Sequence, residues 1–162
     1  MIIQPATTEI VVTASRAPEK KSKTAASATV IDKKTIERLG EPSIASFIRL
    51  TPSAAVEVSG PAGSLTEVRI RGAEANHTLL FIDGIRANDP AAGDAPRFEL
   101  LNADIVSRLE VVRGPQSALW GSDAIGGVIA VNDVPETSPG YAAGTEAGSF
   151  GFRRANASAS LV

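Results

Sequence analysis

Apolar and polar positions alternate in "EVRIRG", where Val68 and Ile70 fall on one side and Glu67, Arg69 and Arg71 on the other. That period of two is the signature of a strand with one buried face. The run "TLLFIDGIRAND" behaves differently. Leu79 to Ile82 are apolar on both faces, which predicts a central strand, and Asp83-Gly84 then predicts a type I′ turn needing positive φ at both positions. Further strands are read in "ATVID" (28–32), "AAVEVSG", "LEVVRG" and "GGVIAVND". Helical spacing is scarcer. Thr35 to Leu39 reads as a short helix that Gly40 ends in the left-handed conformation. Ser43 caps a second helix running to about Leu50, with Ile44, Phe47 and Ile48 on one face, and Thr51-Pro52 stops it. "ELLNADIVSR" reads as a short helical stretch and "QSALWG" as a single helical turn.

Between these elements lie long turns. "GPAGS" and "DPAAGDAPRF" (89–98) are polar and rich in glycine and proline. The first 27 residues are small and polar apart from "EIVVTA" (9–14), which reads as an isolated β-prone run in a mobile tail. After "PETSPGYAAG" the pattern changes: from Ala155 to Leu161 small apolar residues alternate with Asn156, Ser158 and Ser160. This fits a single barrel strand with one apolar face and an unpaired edge.

Composition narrows the class. With 162 residues and 43% hydrophobic content the chain can bury one core. Aromatics supply only 4% while Gly and Pro number 14 and 10, so the core is aliphatic and much of the backbone turns. A net charge of −2 with no dense Lys/Arg run gives no general attraction to nucleic acid. The absence of cysteine excludes disulfides and thiolate metal sites. No apolar run is long enough for a membrane-spanning helix. "MIIQPATTEI" lacks the basic start and apolar run of a signal peptide, so an exported protein would have lost its leader.

Candidate chemistry is sparse. The loop "GSDAIGG" invites a phosphate-binding reading, but Val128 and Ile129 follow where a P-loop needs Lys and Ser/Thr, and a strand follows where that motif opens a helix. Tight packing around Trp120 is the better reading. His77, Asp83, Asp89 and Asp94 have no metal-ligand spacing, and no Ser, His and acid trio assembles, so neither a metal centre nor a hydrolase is expected. Two strands end in the same dipeptide, Arg71-Gly72 and Arg113-Gly114, and those arginines are either solvated or held by carboxylates at an interface. "EIVVTA" is either an edge strand of the domain or a docking strand on about 14 linker residues.

Taken together, "EIVVTA", "VIDKKTIERLGEPSIASFIRLTPSAAVE", "VRIRGAEANHTLLFIDGIRANDP" and "ELLNADIVSRLEVVRGPQSALWGSDAIGGVIAVND" resemble, in order, the N-terminal plug of TonB-dependent outer-membrane transporters. The resemblance implies an α+β plug with a central mixed sheet of about four strands, short helices and long loops. It divides the chain into a tail (1–27), a plug (28–137) and the start of a β-barrel (138–162). The energy-coupling box falls on Glu9, Ile10, Val11, Val12, Thr13 and Ala14, which would pair with TonB. Arg71 and Arg113 match plug arginines that pair with the barrel wall. Val58, Ser59, Gly60, Ser64, Leu65, Arg86, Asn88, Asp89, Asp94 and Arg97 fall on the loops that touch a small-molecule nutrient, cobalamin first and an iron–siderophore second. No cofactor, metal or nucleic acid is implied, and the setting is the outer membrane of a Gram-negative bacterium. The rival readings are a free-standing soluble periplasmic module that binds a ligand or a protein, and a nucleotide-dependent enzyme whose binding would be sensitive to Gly126→Val.

Overall fold

The computed structural model of the protein describes residues 10–11, 19–20, 22–132 and 140–160. In chain order its elements are β1 (Ile10–Val11), β2 (Glu19–Lys20), β3 (Ser27–Asp32), α1 (Lys33–Leu39), α2 (Ile44–Ile48), β4 (Ala54–Val58), β5 (Thr66–Ile70) and β6 (Thr78–Ile82). There follow β7 (Ile85–Arg86), β8 (Asn88–Asp89), β9 (Ala95–Pro96), β10 (Arg108–Arg113), α3 (Ser117–Trp120), β11 (Gly127–Val131), β12 (Gly140–Ala147) and β13 (Arg153–Ser160).

The central sheet has the order β3-β10-β11-β6-β7. Its pairs are antiparallel except β11 with β6, where Gly127 to Val131 run parallel to Thr78 to Ile82. The sheet thus has five strands rather than about four, because the Asp83-Gly84 turn brings two residues of β7 back onto β6. That turn has φ of 50° and 77° at its two central positions, as a type I′ hairpin requires. β4 and β5 form a separate two-stranded hairpin.

Alternation of side chains gives the sheet two apolar faces. On one, Ile31, Leu80, Leu109, Val111, Ile129 and Val131 pack against Ile36 of α1, against Ile44, Phe47 and Ile48 of α2, and against Val68, Ile70 and Phe98. On the other, Leu79, Phe81, Val128 and Ala130 meet Ala124 and Trp120. The helices that cover the first face are short and capped at each start. Asp32 accepts from the Thr35 amide at 3.0 Å, Gly40 closes α1 at φ 64°, and Ser43 accepts from the Ala45 amide at 3.2 Å.

Two expectations need correction. "ELLNADIVSR" is not one helical stretch but two 3-10 turns, Phe98–Leu100 and Ala103–Ile105. Asn102 separates them by accepting from the Asp104 amide at 3.0 Å, a side-chain bond that starts a new turn instead of continuing the old one. The strand near the C-terminus is not alone either. β13 pairs antiparallel with β12 over eight residues, Gly140 opposite Ser160 through Ala147 opposite Arg153. Arg154 of this hairpin reaches Asp104 at 3.5 Å and Glu146 at 3.2 Å.

Candidate functional site

Of the six residues expected to form the coupling box, Ile10 and Val11 are described, and Glu9, Val12, Thr13 and Ala14 lie outside the described residues. Ile10 pairs with Lys20 and Val11 with Glu19, in a ladder of its own rather than at an edge of the central sheet.

The two Arg-Gly endings meet in space. β10 ends at Arg113 beside Gly127, the first residue of β11, and β5 ends at Ile70, whose Cδ1 would lie 3.0 Å from a Cβ on Gly127. Arg71 and Gly72 then turn at φ 54° and 76°, with the Ala73 amide donating to the Ile70 carbonyl at 3.1 Å. The Arg71 guanidinium lies across Gly114, where a Cβ would sit 2.6 Å from its Nη1. Arg113 donates from Nη1 to the Pro52 carbonyl at 3.0 Å and from Nε to the Ser27 carbonyl at 3.3 Å. The Arg71 amide donates to the Ser53 carbonyl at 2.8 Å. Both arginines therefore stand against the Pro52-Ser53 segment, one exposed and one partly buried. No sequence spacing announces this meeting, since 42 positions separate them.

The residues expected to face substrate form two loops joined by one buried carboxylate. Val58, Ser59, Gly60, Ser64 and Leu65 make the tip of the β4–β5 hairpin, closed by the Ser59 amide on the Leu65 carbonyl at 3.0 Å. Val58 and Leu65 are exposed there. At the base of that tip the Thr66 amide donates to Glu99 Oε2 at 3.2 Å, and Arg97 Nε donates to Glu99 Oε1 at 2.6 Å. Arg97 Nη1 also lies 3.9 Å from Asp89 Oδ2. Burial tends to raise the Glu99 pKa, but the hydrogen bonds from its own backbone, Arg97 and Thr66 prevail and hold it below the usual carboxylate range. Sequence reasoning missed Glu99; the only available signal is an Arg-x-Glu spacing, which is common on surfaces.

Within the second loop, Asn88 turns inward. Its Nδ2 donates to the carbonyls of Thr78 and Asp94 at 3.1 and 2.7 Å, and its Oδ1 accepts from the Leu80 amide at 2.9 Å. Asn88 therefore serves the framework of the loop. Arg86 donates from Nη2 to Asp94 and, at 3.0 Å, to Asp123 of the segment after α3. Asp94 holds φ at 65°, and its amide donates to the Asp89 carbonyl at 2.9 Å.

The glycine loop has no free anion cradle along its rungs. The amides of Gly114, Gln116, Ala124 and Gly126 donate to the carbonyls of Gly126, Ala124, Gly121 and His77 at 2.8, 2.8, 3.2 and 2.9 Å. A Cβ on Gly126 would lie 2.9 Å from Ala73 Cβ, 3.2 Å from the His77 oxygen and 3.3 Å from the Ile70 oxygen. These glycines let two backbones touch. Trp120 closes the loop over Phe81, ring centroids 4.5 Å apart at 50°. His77, which offers its backbone here, belongs to no metal-holding group; no cluster of three or more His, Cys, Asp or Glu that could hold a metal occurs among the described residues.

A family model described as the TonB-dependent Receptor Plug Domain matches residues 20–128. The vitamin B12 transporter BtuB of Vibrio vulnificus (strain CMCP6) is 38% identical over 148 residues, which is 91% of this chain and 24% of the relative. That of strain YJ016 is 37% identical over 126 residues, 78% of this chain and 20% of the relative. The chain thus spans about a quarter or less of the length of the curated relatives it matches. Among solved structures, the pyoverdine outer membrane receptor FpvA from Pseudomonas aeruginosa PAO1 bound to pyoverdine has a TM-score of 0.76 at 23% identity, covering 93% of this chain and 21% of that one. The last likeness shows the fold. A five-stranded mixed sheet, two converging Arg-Gly turns and a glycine-packed Trp loop, matched by the family model over most of the described core, establish that the chain belongs to the TonB-dependent receptor plug domain family.

Proposed function

We propose that this chain is the gating plug of an outer-membrane active importer, with residues 1–27 as tail, 28–137 as plug and 138–162 as the start of the barrel. In this reading a small-molecule nutrient binds at the tips formed by Val58 to Leu65 and Arg86 to Arg97. TonB then pairs with Glu9 to Ala14, and traction on the tail remodels the sheet to open a path. The substrate class is cobalamin, on the 37–38% identity to vitamin B12 transporters, with an iron–siderophore second. Arg71 and Arg113 would answer carboxylates of the barrel wall, since planar guanidinium groups suit bidentate pairing. The reading assigns the chain no enzymatic role; its relatives are transporters and receptors.

The observation that carries the proposal is the placement of Ile10-Val11 outside the central sheet, paired among the described residues with Glu19-Lys20 alone. A strand that is not built into the central sheet can exchange its partner for another edge without disturbing the core, which is how strand addition works. The test is uptake of cyanocobalamin by cells whose receptor carries this chain, as wild type and as Val11→Pro. The proline removes a ladder donor and fixes φ. Cell-surface binding should be retained and uptake lost; uptake at the wild-type rate would refute the proposal.

A further inference from the structure

β7 returns along β6 with Arg86 directly opposite Phe81. Residues opposite one another in an antiparallel pair project to the same face. Phe81 meets the ring of Trp120, at the end of α3, and Arg86 meets Asp123, three positions later, at 3.0 Å. The segment 120–123 is therefore docked on the β6–β7 hairpin at two points, one aromatic and one ionic. Arg86 also donates to Asp94 of its own loop, and the Asp94 carbonyl is held by Asn88. Asp123 thus reaches the loop's left-handed corner through a chain of three side chains.

We infer that Asp123 is a positioning residue of the Arg86–Arg97 loop: through Arg86 it fixes where Asp94 stands, so the turn carrying Trp120 sets the shape of the ligand-facing tip. The inference rests on reading that loop as ligand-facing. Arg86, Asp94 and Asp123 have 42%, 35% and 43% of their side chains exposed, so the link is ionic, salt-screened and modest in strength. Its leverage comes from geometry, since the aromatic contact holds the same turn in place when the ionic one is cut.

The test uses the 162-residue chain and the full-length receptor with Asp123→Asn, Asp123→Glu, Arg86→Gln and the double variant Arg86→Gln/Asp123→Asn. In the chain, circular dichroism first establishes that each variant is folded. Amide exchange is then read at Asp94, whose N–H donates to the Asp89 carbonyl. Asp123→Asn and Arg86→Gln should each speed that exchange about two- to fivefold, as expected for one exposed ion pair. The double variant should be no faster than the worse single, and Asp123→Glu should recover most of the protection. Exchange unchanged in Asp123→Asn, or effects that simply multiply in the double variant, would overturn the inference. In the receptor, cyanocobalamin affinity should fall with Asp123→Asn and recover with Asp123→Glu. A wild-type receptor that does not bind cyanocobalamin would sink the proposed substrate while leaving the exchange result to decide the loop coupling. Normal affinity in Asp123→Asn alongside faster exchange would overturn the claim that the turn shapes the ligand-facing tip.

Discussion

Gly126→Ala is the substitution whose cost the structure specifies most closely. The new methyl would stand 2.9 Å from Ala73 Cβ and 3.2 and 3.3 Å from the carbonyl oxygens of His77 and Ile70. All three neighbours belong to one segment, and two are backbone atoms that no rotamer change can move. Relief requires the whole Ile70–His77 turn to shift from β11, carrying Arg71 with it. Overpacking of this kind costs about 1–3 kcal/mol. Replacing glycine also restricts the unfolded chain, which returns about 0.4–1 kcal/mol. The net loss is up to about 2.6 kcal/mol and centres near about 1.3, a fall of about 3–5 °C in Tm for a chain of this size. Gly60→Ala is the control. There the methyl meets only the Ser64 side chain, its Oγ at 2.7 Å and Cβ at 3.4 Å, on an exposed hairpin tip. That side chain can rotate away, so the change should stay within about 0.5 kcal/mol. Thermal and urea unfolding followed by circular dichroism measure both. Equal stability of the two variants would refute the argument that the glycine loop exists for backbone contact.

Two further outcomes follow from buried carboxylates. Glu99 is held below the usual carboxylate range, as is the exposed helix cap Asp32, whose largest cause is its hydrogen bond with Thr35. A depressed carboxylate contributes stability that is present above its unfolded pKa and lost as pH falls through its folded one, so Glu99→Gln should flatten the loss of stability below about pH 4. Urea midpoints across pH 7 to 3 check this; an unchanged acid limb would remove Glu99 from the account. Glu110, 0% exposed, accepts from Arg108 Nε at 2.8 Å, so Arg108→Leu should cost about 1.5–3 kcal/mol by removing one charge-assisted hydrogen bond from a buried carboxylate. Adding Glu110→Leu should recover part of that loss, and a double variant less stable than the single would contradict it.

Much of the local structure was legible because its causes are local. Asp83-Gly84 dictated its turn, Gly40 and Ser43 marked helix ends, and the short apolar runs in "LEVVRG" and "GGVIAVND" marked two strands. The parallel pairing of β11 with β6 was not legible, since Ile82 and Gly127 are 45 positions apart and no side-chain pattern names a partner. β12 also escaped notice: "GYAAGTEA" has only Thr145 as a β-branched residue, and its strand character comes from pairing with β13. The site divided the same way. Trp120 could be read as packing from its glycine surroundings, whereas Glu99, Asp123 and the meeting of Arg71 with Gly114 depend on the tertiary fold. Asn88 shows the converse: its place on the loop was legible, and the inward turn of its amide was not.

The central claim is that the tail of this plug is a strand offered to TonB. Calorimetric titration of the chain with the periplasmic domain of TonB, as wild type and as Val11→Pro, tests it most directly, once circular dichroism shows both chains folded. Val11 lies outside the central sheet, so the proline should abolish strand pairing and leave the core intact. Binding by the wild type and its loss in the variant is the predicted result; equal binding by both, or none by a folded wild type, would contradict the account.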